Sequence, residues 1–260
     1  MDKSKIEHYG DELYNALITR TAVAPLTDRE ADITIEDAYQ IQQRMIQRRL
    51  DAGETIIGKK IGVTSKVVMD MLKVNQPDFG MMTSGMVFNE GESIDTSTMI
   101  APRAEAEVAF VLKSDLMGPG VTAADVLRAT DFVVPCFEIV DSRIQDWKIK
   151  IQDTVADNAS CGVLVLGGRR KSPADIDLAL AGMVLEKNGE IISTSTGAAV
   201  QGSPVNAVAW LANTLGNLGI GLKAGEVILS GSQSPLVPVK AGDSLVCTVG
   251  GLGGTSVRFI

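Results

Sequence analysis

The stretch Pro102-Arg103-Ala104-Glu105-Ala106-Glu107-Val108-Ala109-Phe110-Val111-Leu112 decides how this chain is read. Its apolar run predicts a strand over 104–112. Successive side chains in a strand point to opposite faces, so Glu105 and Glu107 share one. That face continues with Ala109 and Val111, the pattern of an interior surface. Two carboxylates about 6–7 Å apart along a buried face repel each other and are costly to desolvate. A hard divalent cation relieves both problems, because Mg²⁺ and Ca²⁺ take oxygen ligands. Glu138 is a third candidate ligand, as the one charge in Phe132-Val133-Val134-Pro135-Cys136-Phe137-Glu138-Ile139-Val140. The plainer alternative is that the three glutamates pair with Arg103, Arg143 or a lysine.

Outward from this pair of strands the texture differs on the two sides. Toward the N-terminus, Ile6, Tyr9, Leu13 and Ala16 recur at helical spacing. Thr34-Ile35-Glu36-Asp37 is a capping-type start to a second helix through Ala38, Ile41, Met45 and Leu50. Thr55 to Val63 reads as a strand interrupted by glycine, Ser65 to Leu72 as a short helix, and Gln76-Pro77-Asp78-Phe79-Gly80 as a turn or loop. Toward the C-terminus, strands are expected at 131–141, 162–166, 180–187, 226–230, 243–249 and 255–259, with helices at 121–127 and 204–215. Gly250-Gly251-Leu252-Gly253-Gly254 is a hairpin turn rather than a phosphate loop: it lacks Lys-Ser/Thr and no helix follows it. There is no repeat and no low-complexity linker. The expectation is one β-rich α+β unit, with 1–80 a helical N-terminal subdomain packed on a β-rich catalytic core at 81–260.

Composition narrows the chemistry. The chain has 260 residues and a formal net charge of −8, a poor match to nucleic acid or an anionic membrane. The N-terminus has no apolar h-region and no stretch approaches 18 apolar residues, so a soluble, cytoplasmic protein is expected. Cys136, Cys161 and Cys247 are odd in number and widely spaced, which suits buried free thiols in a reducing compartment. His8 is the single histidine and falls in the expected N-terminal helix, which argues against a Ser-His-Asp triad, a Cys-His dyad and a His-rich zinc site. Acid–base work would fall to carboxylates, lysines, tyrosines or metal-activated water.

Five blocks in order carry a resemblance: Gly58-Lys59-Lys60-Ile61-Gly62-Val63-Thr64, Gln76-Pro77-Asp78-Phe79-Gly80, Pro102-Arg103-Ala104-Glu105-Ala106-Glu107, Glu138-Ile139-Val140-Asp141-Ser142-Arg143, and Asp153-Thr154-Val155-Ala156-Asp157-Asn158-Ala159-Ser160. Together they resemble the hydratase/decarboxylase branch of the fumarylacetoacetate hydrolase superfamily, and within it the 2-hydroxypenta-2,4-dienoate hydratases of aromatic meta-cleavage. The resemblance implies a mixed β-sandwich or barrel core, a homo-oligomer, and Mg²⁺ or Mn²⁺ held by Glu105, Glu107 and Glu138. It places Lys60, Asp78 and Ser160 around a small 2-hydroxydienoate or 2-oxo acid. Lys60 would support charge on the C2 oxygen or move a proton, with a pKa lowered by the dication. Asp78 would activate water and Ser160 would hydrogen-bond the substrate carboxylate. The chain departs from the C–C hydrolases of the superfamily, which carry a lysine where Val155-Ala156-Asp157-Asn158 stands. The competing expectation is 4-oxalocrotonate decarboxylase of the same pathway, which is also a possible partner in a complex. Asp78 favours hydration, because loss of CO₂ needs no base there. A non-catalytic scaffold is a third reading, opposed by the intact ligand set.

Overall fold

A computed structural model describes residues 1–260, apart from the side chains of Val67, Met71 and Leu72. The seven α-helices are α1 (Lys3–Thr19), α2 (Leu26–Arg29), α3 (Ile35–Asp51), α4 (Lys66–Leu72), α5 (Ala123–Ala129), α6 (Ile151–Ala156) and α7 (Pro204–Gly216). The thirteen strands are β1 (Ile56–Gly62), β2 (Asp78–Thr83), β3 (Val87–Asn89), β4 (Ser93–Ile94), β5 (Arg103–Leu112), β6 (Thr130–Val140), β7 (Cys161–Leu166), β8 (Gly182–Lys187), β9 (Glu190–Thr196), β10 (Val227–Leu229), β11 (Val237–Pro238), β12 (Ser244–Val249) and β13 (Gly253–Phe259).

The strands form two mixed sheets, as an α+β, β-rich chain should. The larger has eight strands in the order β2-β1-β10-β5-β6-β7-β3, with β11 added on β5. The smaller runs β4-β13-β12-β8-β9. The main core lies between them and α7. It takes Ala104, Ala106, Val108 and Phe110 from one face of β5, Leu245 and Phe259 from the smaller sheet, and Val208 and Leu211 from α7. The opposite face of β5 carries Glu105 and Glu107, then Ala109 in a smaller cluster with Met82, Met86 and Leu164. Strand alternation thus puts the apolar set into the main core and the glutamates on the other side.

Pro135 stands inside the central strand β6 without breaking it. Pairing of β6 with β7 begins at Cys136↔Leu166, and beyond that end the Pro135 carbonyl accepts from Gly167 N at 2.9 Å. The missing proline N–H therefore falls where the neighbour has already left the ladder.

The Thr34 start is a full capping box: Thr34 accepts from Asp37 N and the Asp37 side chain accepts from Thr34 N. α1 and α3 pack on α6 through Leu13, Ile41, Met45 and Val155. This helical layer ends at Asp51. β1 and β2 belong to the larger sheet, so the division expected at residue 80 falls within β2. Asp78, expected in a turn or loop, opens that strand opposite Gly62. Pro77 cannot donate to a ladder, and pairing starts at the next residue. β9 was not anticipated: Glu190-Ile191-Ile192-Ser193-Thr194-Ser195-Thr196 is an edge strand, mostly exposed, without the alternation that marks a half-buried one.

Candidate active site

Register brings the three glutamates together. In the β5–β6 ladder Glu105 lies directly opposite Glu138, and Glu107 opposite Cys136. One carboxylate oxygen from each of Glu105, Glu107 and Glu138 lies within 4.8 Å of the others. Glu107 and Glu138 are fully buried, and Glu105 is half-buried at the wall of a cavity. Glu107 Oε2 accepts from Gly231 N at 2.8 Å. Glu107 Oε1 and both Glu138 oxygens have no hydrogen-bond partner among the described residues. Buried carboxylate oxygens are rarely left orphaned. Three converging hard oxygen donors with free lone pairs fit a divalent cation, so this acidic group can hold one.

Burial pushes all three carboxyls up, and their mutual repulsion adds to it for Glu105 and Glu107. Glu105 is raised from 4.5 to about 7. Lys60 opposes the rise in each. A carboxyl whose folded pKa is raised stabilises the fold fully below its unfolded pKa and loses that contribution as pH rises through the folded value. Asp157, raised by burial to about 6, acts in the same direction. Under chelation the thermal midpoint is expected to fall as pH goes from 4.5 to above 7, and Mg²⁺ is expected to restore most of the loss. A midpoint that stays level in chelator across that range would contradict the buried-charge account.

Lys60 and Asp78 come from the neighbouring hairpin of β1 and β2. Lys59 and Lys60 are both buried, so they are not a solvated pair. Alternation sends Lys59 to Glu226 at 2.6 Å and Lys60 toward the glutamates. Lys60 Nζ donates to Ala159 O at 2.9 Å and stands 3.3 Å from Glu138 Oε1, an ion pair without hydrogen-bond geometry. A lowered Lys60 pKa was expected beside a dication. Burial does lower it, but with the carboxylates alone Glu138, Asp78 and Glu105 outweigh that, and Lys60 is held above its ordinary value. Asp78 is buried with both oxygens unpartnered, and burial pushes its carboxyl up against the pull of Lys60. Gly62 makes room for both: a Cβ there would collide with Asp78 Oδ1 and come within 3.2 Å of Lys60 Nζ.

The Ala159 carbonyl and Ser160 are delivered by a strained turn. Asn158, Ala159 and Ser160 all lie in the left-handed region, at φ of 56°, 51° and 52°. Each costs about 1–3 kcal/mol, and such conformations persist only where the surroundings enforce them. Here the Asn158 side chain clasps the backbone of Met81, accepting from its N at 2.8 Å and donating to its O at 2.9 Å. Below it, Arg143 and Asp157 form a fully buried pair. The guanidinium also donates to the carbonyls of Asp141, Asp157 and Cys161. Arg143 therefore holds the turn and is not a partner of the glutamates. Removing one side of a buried pair typically costs about 3–5 kcal/mol. Arg143→Met is expected to lose about that much stability in urea unfolding, and a loss below 1 kcal/mol would show that the turn stands without it. Ser160 lines the cavity, but its hydroxyl donates to Asp157 Oδ2 at 3.1 Å, so in this arrangement it offers the cavity an acceptor.

The cavity has a volume of about 580 Å³ and is bounded by Lys60, Asp78, Glu105 and Ser160 at one end and by Arg103 and Trp147 elsewhere. Trp147 is thus a pocket wall, with Nε1 donating to Ala101 O at 3.0 Å. A second cavity of about 600 Å³ reaches Asp78 from the side of Tyr39 and Gln76. The glutamates, Lys60, Asp78 and Ser160 named from sequence all converge on the first cavity or its floor. The Arg143–Asp157 pair, Gly62 and Asn158 were not singled out as functional, because only packing shows what they hold.

The family model for the fumarylacetoacetate (FAA) hydrolase C-terminal region matches residues 59–259. The chain is 58% identical over 260 residues to a 2-hydroxyhexa-2,4-dienoate hydratase of Comamonas testosteroni, covering 99% of this chain and 98% of the other. It is 65% identical over 221 residues to a 2-hydroxypent-2,4-dienoate hydratase of Pseudomonas putida, covering 85% and 100%. Among solved structures, 4-oxalocrotonate decarboxylase from Pseudomonas putida G7, complexed with magnesium and adipate, superposes with a TM-score of 0.97 at 36% identity, covering 100% and 99%. A family match over residues 59–259, with a relative 58% identical across 99% of the chain, means that this protein belongs to the fumarylacetoacetate hydrolase family.

Proposed function

We propose that this protein is a divalent-metal-dependent hydratase that adds water to 2-hydroxypenta-2,4-dienoate, giving 4-hydroxy-2-oxopentanoate, in meta-cleavage degradation of aromatic compounds. The observation that carries the reading is the convergence of three glutamates, two of them with unpartnered buried oxygens, with Lys60 and Asp78 at one cavity. The hydratase names of relatives at 58% and 65% identity support it. Mg²⁺ is the proposed ion, with Mn²⁺ the alternative. The decarboxylase remains the second reading because of its close superposition, but at 36% identity it is the more distant relative.

Glu105, Glu107 and Glu138 would hold the cation, which would supply Lewis acidity to the 2-oxo acid end of the substrate. Lys60, anchored by Glu138 and the Ala159 carbonyl, keeps a positive charge beside the C2 oxygen while the C2 hydroxyl gives its proton to solvent and C5 takes one up, so that the dienol becomes the 2-oxo-3-enoate. Asp78 takes a proton from water as the water oxygen bonds to C4 and then returns it to C3, which completes the addition of water. Its raised pKa suits it to hold that proton. Ser160 reaches the substrate carboxylate by turning its O–H away from Asp157, which keeps Arg143 and Ser142 as donors.

The protein is proposed to act in the cytoplasm as a homo-oligomer that can associate with the decarboxylase of the same pathway. Among the described residues no helix is long and apolar enough to cross a membrane. Exposed Leu180 and Ile191, at 73% and 66%, are the kind of apolar surface that subunit contacts cover. Light scattering on the purified protein reads the oligomer directly.

The deciding assay supplies Mg²⁺ with 2-hydroxypenta-2,4-dienoate and, separately, with 2-oxo-3-hexenedioate. Loss of the conjugated dienol's ultraviolet absorbance is expected from the first alone. Rapid CO₂ release from the diacid, with the monoacid unchanged, would replace the hydratase with the decarboxylase.

A further inference from the structure

Among the described residues Arg103 is the one arginine on the cavity wall, and none of them answers its charge. The other arginines that are not exposed each pair with a carboxylate: Arg44 and Arg48 with Asp11, Arg49 with Glu54, and Arg143 with Asp157. Arg103 is half-buried and makes no ion pair or side-chain hydrogen bond among the described residues. Its guanidinium carbon lies over the Trp147 ring, 4.4 Å from the centroid, a cation–π contact that uses no N–H donor in an ion pair. Trp147 is itself pinned through Nε1 to Ala101 O. The guanidinium is thus held beside an aromatic face with its donors uncommitted, and a guanidinium fork is suited to bind a carboxylate in bidentate fashion.

Its place on the strand puts it next to the glutamates. Arg103, Glu105 and Glu107 lie on the same face of β5, and Arg103 is two residues outward from Glu105. Two residues of strand span about 6–7 Å, of the same order as the length of a short dicarboxylic acid. The same cavity wall also carries apolar Val140, Ile149 and Leu236. That arrangement suits an anionic head at the glutamates' cation, a run of methylenes, and a second anion at Arg103.

We infer that Arg103 and Trp147 form a distal anion subsite, which lets the protein hold a short dicarboxylic acid with one carboxylate at the cation site and the other on the Arg103 guanidinium. The inference deepens the proposed function and rests on its reading of the glutamates as a cation site. A saturated dicarboxylic acid has no conjugated system to hydrate, so it occupies the cavity as a competitive ligand.

The test compares adipate with its chain-matched monoacid, hexanoate. Binding of each to the Mg²⁺-loaded protein is measured by calorimetry, and inhibition of dienoate turnover is measured in parallel. The wild type is expected to bind adipate at least about tenfold more tightly than hexanoate. In Arg103→Gln that ratio is expected to fall close to one, and in Arg103→Lys to an intermediate value. Equal binding of the two acids by the wild type, or an unchanged ratio in Arg103→Gln, would overturn the subsite. An equal loss for both acids would also overturn it, since Arg103 would then grip the carboxylate at the cation. The calorimetric ratio needs no turnover, so a protein that fails to hydrate the dienoate yet shows it would retain the subsite and lose only the proposed reaction.

Discussion

Glu107→Gln is expected to leave a folded protein that no longer turns over its substrate. Glutamine keeps the shape of the side chain and can still accept from Gly231 N, so the local backbone has no reason to move. What goes is one charged donor of three within 4.8 Å of one another. Lewis-acid stabilisation supplies several kcal/mol to the transition state, and each 1.36 kcal/mol is tenfold in rate, so a loss on the order of 10³-fold is expected. Mg²⁺ affinity should fall with it, read by titration calorimetry. The metal-free variant should melt higher than metal-free wild type at neutral pH, because a fully buried carboxylate that burial and Glu138 oppose is gone. Near-normal turnover with unchanged Mg²⁺ affinity would remove the glutamate cluster from the chemistry.

Asp78→Asn is expected to lose about 10²–10⁴-fold in hydration, the usual contribution of a positioned general base. The amide is nearly isosteric and sits opposite Gly62, where a larger side chain would not fit. Binding of pyruvate or oxalate with Mg²⁺ should survive, because those acids need the glutamates and not Asp78. The raised Asp78 pKa adds a second readout. In the wild type, hydration should fall at low pH as Asp78 is protonated, on the high side of the ordinary carboxylate range, and the variant should lose that limb. Wild-type rates in Asp78→Asn would make Asp78 a strand-opening residue and nothing more.

These effects trace back to parts of the chain that differ in how openly they announce themselves. Glu105, Glu107 and Glu138 were legible because a charge in an apolar strand is conspicuous, and strand alternation alone puts the first two on one face. Helices α1 and α3 were legible from periodicity and the Thr34–Asp37 cap. Lys60, Asp78 and Ser160 came from family resemblance, since a lysine pair, a residue after proline and a serine near a turn each have ordinary uses. The strand opening at Asp78 and the edge strand β9 were missed because pairing, not local pattern, makes them strands.

By itself the sequence determined the class of chemistry. One histidine, no paired cysteine motif and three strand glutamates leave a carboxylate-held cation as the best use of the interior charge. The alternation of β5 and β6 is local, so it can be read from one strand at a time. Only the tertiary structure decided which residues meet. Register places Glu138 opposite Glu105, parallel pairing of β1 with β10 brings Lys60 alongside β5, and the Arg143–Asp157 pair holds a left-handed turn against Lys60. It also left Arg103 without a partner on Trp147. Each of these contacts joins residues far apart in the chain, and their energy depends on burial and distance that appear only when the sheet closes.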